Sequence, residues 1–178
     1  MAEKQVILSE TPGLSGYAGA ADPAHFREAM SRLPAAVHVV TTDGPAGLGG
    51  ITASAVSSVT VDPPMMLFCI NKSSPSVARI IENGVFCINT LAARDQQISD
   101  VFAGRTAQRL EERFATGEWR RLATGAPVLS SALVAFDCRL IEAKEVSTHI
   151  VMIGIAEAVE LAPEGETLMY AQRKYTRL

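Results

Sequence analysis

Apolar residues in this chain recur in short, β-branched runs separated by turn residues, with few long helical stripes. Val37–Thr42, Gly50–Thr60, residues 65–71, residues 85–91 and two long runs at about 132–146 and 150–162 read as strands. A last strand spans about 167–175. Helical spacing is limited to three places. Asp22-Pro23 supplies an N-cap and a first-turn proline, Phe26, Ala29, Met30 and Leu33 share a face, and Pro34 stops the helix. Ser74-Pro75 opens a second helix that Gly84 ends, and Ile98, Val101 and Phe102 mark a third from Asp95. Residues 104–131 are polar, contain glycine and show no clear period. Residues 1–21, rich in Gly, Ala and Ser, read as a flexible arm before one domain at 22–178.

Strands outnumber helices, and most connections are of hairpin size. Asp43–Gly50 is a turn-rich loop that makes its flanking strands an antiparallel pair. There is no βαβ alternation, which excludes a doubly wound sheet. The predicted class is mainly β, an antiparallel barrel with a few peripheral helices.

Composition narrows the setting. The chain has 178 residues, 48% of them hydrophobic and 20% charged, enough for one domain with a sizeable core. A net charge of −3 with scattered arginines argues against nucleic acid as partner. The apolar runs are too short and interrupted for a transmembrane helix, and the first residues carry no secretory pattern. Cys69, Cys87 and Cys138 each sit in an apolar strand-like run, which reads as reduced core thiols in a cytoplasm.

Candidate chemistry clusters at strand ends. Gly50–Thr60 begins with Ile51-Thr52-Ala53-Ser54-Ala55, small side chains and hydroxyls that let a flat ligand lie against the backbone. Gly47-Leu48-Gly49-Gly50 lacks the third glycine of a dinucleotide fingerprint and leads into a strand, so it reads as a hairpin loop. The run Asn71-Lys72-Ser73-Ser74-Pro75-Ser76 passes from a strand into a helix start; its hydroxyls, lysine and backbone N–H groups suit a phosphate, or form an ordinary cap. Asn71 and Asn89 close two strands alike; their amides could face a heterocycle or simply bond backbone. His149 sits in the turn between the two long strands, either at a site mouth or incidental there. His25 and His38 match no metal spacing, and no nucleophile elbow or paired carboxylates occur, so neither a metal nor an essential acid or base is predicted.

Taken together, these segments resemble the flavin reductase family with the FMN-binding split barrel, above all the small reductase components of two-component flavin monooxygenases. The resemblance runs from Phe26 to Tyr175. It is carried by Phe26–Ser31, Val39–Gly47, Gly50–Val56, Cys69–Lys72, Ile88–Ala92, Arg113-Phe114, Thr124–Pro127, Phe136–Cys138 and Arg173–Tyr175. It implies a homodimer that uses NADH or NADPH to reduce FMN or FAD. It implies flavin contacts at Thr52, Ala53, Ser54, Ala55, Asn71, Lys72, Ser73, Ser74, Ser76, Asn89, Thr90 and Leu91, with Ser99 and Phe102 nearby. It also implies a nicotinamide pocket with His149, Arg173 and Tyr175. The turn reads Ser147-Thr148-His149 where the family has Gly-Asp-His or Gly-Ser-His. The reduced flavin would serve a partner monooxygenase. Two alternatives are a flavin-dependent corrinoid reductase of cobalamin synthesis and a non-catalytic flavin- or haem-binding module.

Overall fold

The computed structural model describes residues 6–11 and 19–178. The first half of the chain carries β1 (Ile7–Glu10), α1 (Pro23–Ser31), β2 (Ala35–Ala36), β3 (His38–Thr42), β4 (Gly49–Ala53), β5 (Val56–Val61), β6 (Pro64–Asn71), α2 (Ser76–Asn83) and β7 (Val85–Thr90). The second carries α3 (Gln96–Phe102), β8 (Trp119–Arg121), β9 (Pro127–Leu129), β10 (Val134–Val146), β11 (His149–Leu161), β12 (Leu168–Ala171) and β13 (Lys174–Arg177). The Asp22 side chain caps α1 by accepting the His25 N–H at 2.8 Å.

The main sheet runs β4-β3-β7-β10-β11-β6-β5, with β1 added in parallel along the far half of β10. Its two end strands, β4 and β5, are consecutive in sequence and joined only by Ser54-Ala55. Laid flat, six strand spacings of about 4.8 Å would hold those strands roughly 29 Å apart. Three Cα–Cα steps, from Ala53 to Val56, span at most about 11 Å. The sheet must therefore curl until its ends meet. Cys69 N–H donates to Ala55 O at 2.9 Å at that meeting point. No ladder joins β4 to β5 among the described residues, so the barrel is split along this seam.

Curling explains why the strands read as nearly continuous apolar runs. Val40, Phe68, Ile70, Phe86, Ile88, Leu140 and Met152 fill the barrel interior, closed at one side by Val77 and Ile80 of α2. The outer face of the same central strands is covered too: Val37, Val39 and Leu91 pack on Ile98, Val101 and Phe102 of α3. Both faces of β3 and β7 are thus buried, and the polar–apolar alternation of a half-exposed strand is lost.

Four expectations change. The run 50–60 is two strands, because the chain leaves one edge of the sheet at Ala53 and enters the other at Val56. The run 167–175 is a hairpin: Gln172 and Arg173 have φ of 50° and 60°, the left-handed pair of a tight hairpin turn without its usual Asn-Gly signature. Residues 104–131 hold a 3-10 turn at Glu112–Ala115 and the β8–β9 hairpin, which pack Phe114 and Trp119 against Phe102 with ring centroids 5.1 and 5.5 Å away. Within the expected arm, Ile7–Glu10 form β1, with Ser9 Oγ donating to Glu142 at 2.9 Å; residues 1–5 and 12–18 lie outside the described residues.

Gly154 shows how tight the interior is. A Cβ there would meet Phe86 Cζ at 2.5 Å and Arg139 O at 2.8 Å. The Gly154→Ala variant is expected to lose about 1–3 kcal/mol by overpacking, measured by urea unfolding. Phe86→Leu in the same chain should return part of that loss, because it removes the ring but not the carbonyl.

Candidate functional site

β4 is an edge strand, paired on one side with β3 only. Gly50 O, on the other side, accepts the Ser76 hydroxyl at 3.1 Å. Strand alternation then turns the N–H and C=O of Thr52, two residues on, to the same free edge. A Cβ on Gly50 would strike Phe102 Cε1 at 2.6 Å, so the glycine lets α3 close against β4.

Beside that edge lies a cleft of about 270 Å³. Ile51, Thr52, Ala53 and Ser54 form its floor, and Val37, Ser99, Ala103, Arg105 and the paired Tyr170 and Tyr175 complete its lining. A hydrogen-bonded chain fixes much of this lining. Thr52 Oγ1 donates to Ser99 O at 2.7 Å, and Ser99 Oγ donates to the Tyr175 hydroxyl at 2.8 Å. That hydroxyl donates in turn to Asp100 Oδ1 at 3.0 Å. Arg105 Nη1 reaches Asp100 Oδ1 at 2.7 Å and the Tyr175 hydroxyl at 3.2 Å. Tyr170 and Tyr175 meet edge to face, centroids 5.4 Å apart.

Two consequences are chemical. Thr52 has spent its hydroxyl proton on Ser99, so it offers a ligand only lone pairs, while its backbone adds one donor and one acceptor. Burial raises the Tyr175 pKa above its ordinary value, aided by the bond to Asp100, so the phenol stays protonated near neutrality. The floor is small and hydroxyl-bearing, the walls are aromatic, and the edge carries unpaired backbone groups. A flat heterocycle with a polar edge fits such a place.

Of the residues singled out in the sequence, Thr52, Ala53, Ser54, Ser99 and Tyr175 are brought together here. Asn71, Ser73 and Ser74 form a loop at the start of α2, where Asn71 Oδ1 accepts Ser73 N–H at 2.9 Å and Ser73 Oγ at 2.8 Å. Ala55 is exposed at the seam between these two places.

Other residues singled out in the sequence stand outside this cleft. Ser76 is buried and its hydroxyl is committed to Gly50 O. Asn89 is fully buried: its amide donates to Val39 O at 3.1 Å and accepts Leu129 N–H at 2.8 Å, which makes it a core strut. Leu91 and Phe102 are buried core side chains and do not line the cleft. Lys72 is paired with Glu145 at 2.7 Å, and Thr90 shares a 3.1 Å hydrogen bond with His38. The nicotinamide set is dispersed. Arg173 leaves the cleft to pair with Glu28 at 2.8 Å, and His149 stands opposite Asn71 on β11 with Nδ1 2.9 Å from Thr148 Oγ1.

The sequence did not single out Val37, Ala103, Arg105 or Tyr170. Arg105 follows Gly104, whose φ of 72° ends α3 and turns the chain back so that Arg105 N–H meets Asp100 O at 3.1 Å. A glycine stop followed by arginine was the available signal, in a stretch without periodicity.

The fold and this cleft define a split-barrel protein built to hold a flat, polar-edged ligand along an open strand. Comparison with known proteins makes that class specific: residues 30–178 match the model of the flavin reductase like domain, and the chain belongs to that family. FMN reductase (NADH) RutF of Ancylobacter novellus is 51% identical over 170 residues, covering 94% of this chain and 92% of the relative. Its namesake from Methylorubrum populi is 48% identical over 157 residues, 88% and 77% of the two chains. Among solved structures, BorF, the flavin reductase component of a bacterial two-component tryptophan halogenase, superposes with a TM-score of 0.81 at 30% identity, covering 88% of this chain and 98% of its own. Flavin reductase PheA2 does so with 0.80 at 25%, covering 89% and 99%.

His38 offers a pH test of the packing behind the site. Desolvation lowers its pKa from 6.5 to about 4. Above pH 6.5 the ring is neutral folded or unfolded and costs nothing. As pH falls toward 4 only the unfolded chain takes up the proton, so stability is lost. Between pH 7.5 and 5 this amounts to roughly 2 kcal/mol. His38→Gln should flatten that part of the pH profile of denaturant unfolding.

Proposed function

We propose that this protein is an NADH-dependent FMN reductase whose flavin lies along the free edge of β4. The observation that carries the reading is that edge: Thr52 presents a backbone donor, a backbone acceptor and a lone-pair-only hydroxyl beside the small side chains of Ala53 and Ser54. The two relatives named above as NADH-using FMN reductases support the choice of cofactor and cosubstrate. A flavin held there would supply the redox chemistry, with NADH as the hydride donor.

This chain's residues bind and orient. β4 carries the ring system, and the loop at Asn71, Ser73 and Ser74 takes the phosphate end; the Ser76–Gly50 bond ties that loop to the same edge. Tyr175, held by Ser99 and Asp100, sets the depth at which a second ring stacks. Asn71 and its neighbour His149 lie at the barrel end.

The reading extends to assembly and setting. Exposed Val59 and Val61 on β5, with Val159 and Leu161 on β11, leave apolar surface for a second copy, and we read the protein as a homodimer. The reduced flavin goes to a partner monooxygenase, the role that BorF has for its halogenase system in kind. Three free thiols, two of them buried, agree with a cytoplasmic setting. No helix among the described residues is long and apolar enough to cross a membrane.

The purified protein should consume NADH when FMN is added, seen as loss of the NADH absorbance band. No oxidation with FMN or FAD would refute the proposal. Ser54→Phe should lower the rate by about a hundredfold with an unchanged unfolding midpoint, because Ser54 is exposed and supports no core.

A further inference from the structure

Arg105 is the one formally charged side chain among the residues that line the cleft. Its position is set by three contacts: Asp100 Oδ1 at 2.7 Å, the Tyr175 hydroxyl at 3.2 Å, and the Tyr175 ring, whose centroid lies 5.4 Å from the guanidinium carbon. Asp100 does not line the cleft, and its Oδ1 takes donors from both Arg105 and Tyr175. The ion pair therefore turns its cationic end to the ligand and keeps its carboxylate behind. The carbonyls at the adjoining end of α3 are each taken by a donor other than the Arg105 guanidinium. Ser99 O accepts Thr52 Oγ1, Asp100 O and Val101 O accept backbone N–H groups at 3.1 Å each, and Phe102 O takes Arg113 Nη1 at 3.4 Å.

We propose that Arg105 tunes the redox state of the bound flavin: a guanidinium fixed beside the ring favours the reduced, anionic form over the oxidised, neutral one. The proposal rests on the flavin reading above. Transfer of one hydride, a proton with two electrons, from NADH leaves NAD⁺ and puts one negative charge on the flavin. A cation already in place, tethered by Asp100 and Tyr175, lowers the energy of that charge without reorganising. It gives little to the neutral oxidised ring, so its effect is a difference between redox states and not a uniform gain in binding. The side chain is 52% exposed, so the effect is modest and screened by salt.

The test compares wild type, Arg105→Lys and Arg105→Gln. The reduction potential of bound FMN is measured by anaerobic dye equilibration without NADH, and the dissociation constant of oxidised FMN by fluorescence quenching. In R105Q the preference for reduced over oxidised FMN should fall about tenfold, which for a two-electron couple is a potential lower by about 30 mV. R105K should keep most of the wild-type potential, high salt should shrink the gap, and binding of oxidised FMN should be unchanged in all three. An unchanged potential in R105Q overturns the proposal. So does an equal loss of affinity for both redox forms, or a raised KM for NADH with the potential unmoved, which would place Arg105 on the dinucleotide. Failure of the wild type to bind FMN would remove the flavin reading itself and this role with it.

Discussion

Ser54 and Ala55 join the two ends of a seven-strand path, and two residues cannot bridge a flat sheet. That length constraint curls the sheet, buries both faces of β3 and β7, and leaves a seam where β4 and β5 meet without a ladder. The candidate cleft lies beside that seam, floored by residues 51–54. The core inside the barrel and the core beneath α3 are the two sides of one curled sheet, which is why the central strands carry Val, Ile, Phe and Cys with so few polar interruptions.

An unpaired strand edge is normally a liability that proteins cover or charge. Here it is covered in part. Ser76 of α2 takes Gly50 O, and Ser99 of α3 takes the Thr52 hydroxyl, so the strand is fixed from both ends of its free side. Between those anchors the Thr52 backbone remains for a ligand, and the walls are completed by Tyr175 and Arg105. A reductase of this kind asks little acid–base chemistry of its protein, since the cofactor carries the electrons. Rigidity and charge placement are what the chain must supply, and the Thr52–Ser99–Tyr175–Asp100–Arg105 chain of hydrogen bonds supplies both.

The fold persists where much of the sequence has changed. BorF and PheA2 keep the architecture at 30% and 25% identity. The architecture depends on strand order, link length and a few close approaches such as Gly50 on Phe102 and Gly154 on Phe86, which a small set of residues can preserve.

Much of the fold was legible along the chain. Asp22-Pro23 announced α1, Gly84 ended α2, and the Asp43–Gly50 loop marked the β3–β4 hairpin, because caps, stops and turns are local chemistry. The hydroxyl-bearing floor Thr52-Ala53-Ser54 was legible for the same reason. The Gln172-Arg173 turn was not, since neither residue signals a left-handed pair, and β1 was not, since its pairing partner lies on β10, far along the chain. Residue type alone does not say where a side chain points. Asn89 and Ser76 have ligand-like chemistry, yet the sheet turns the first inward and the helix turns the second onto Gly50. Arg173 and Arg105 are both arginines near the cleft tyrosines, and only the turn geometry after α3 puts Arg105 in the wall while the β12–β13 turn sends Arg173 to Glu28. The sequence by itself determined most of the elements, the class of barrel and the chemistry of the floor. Which polar groups face the ligand was decided by tertiary structure, because facing depends on strand parity and edge position, and those exist only once the sheet has curled.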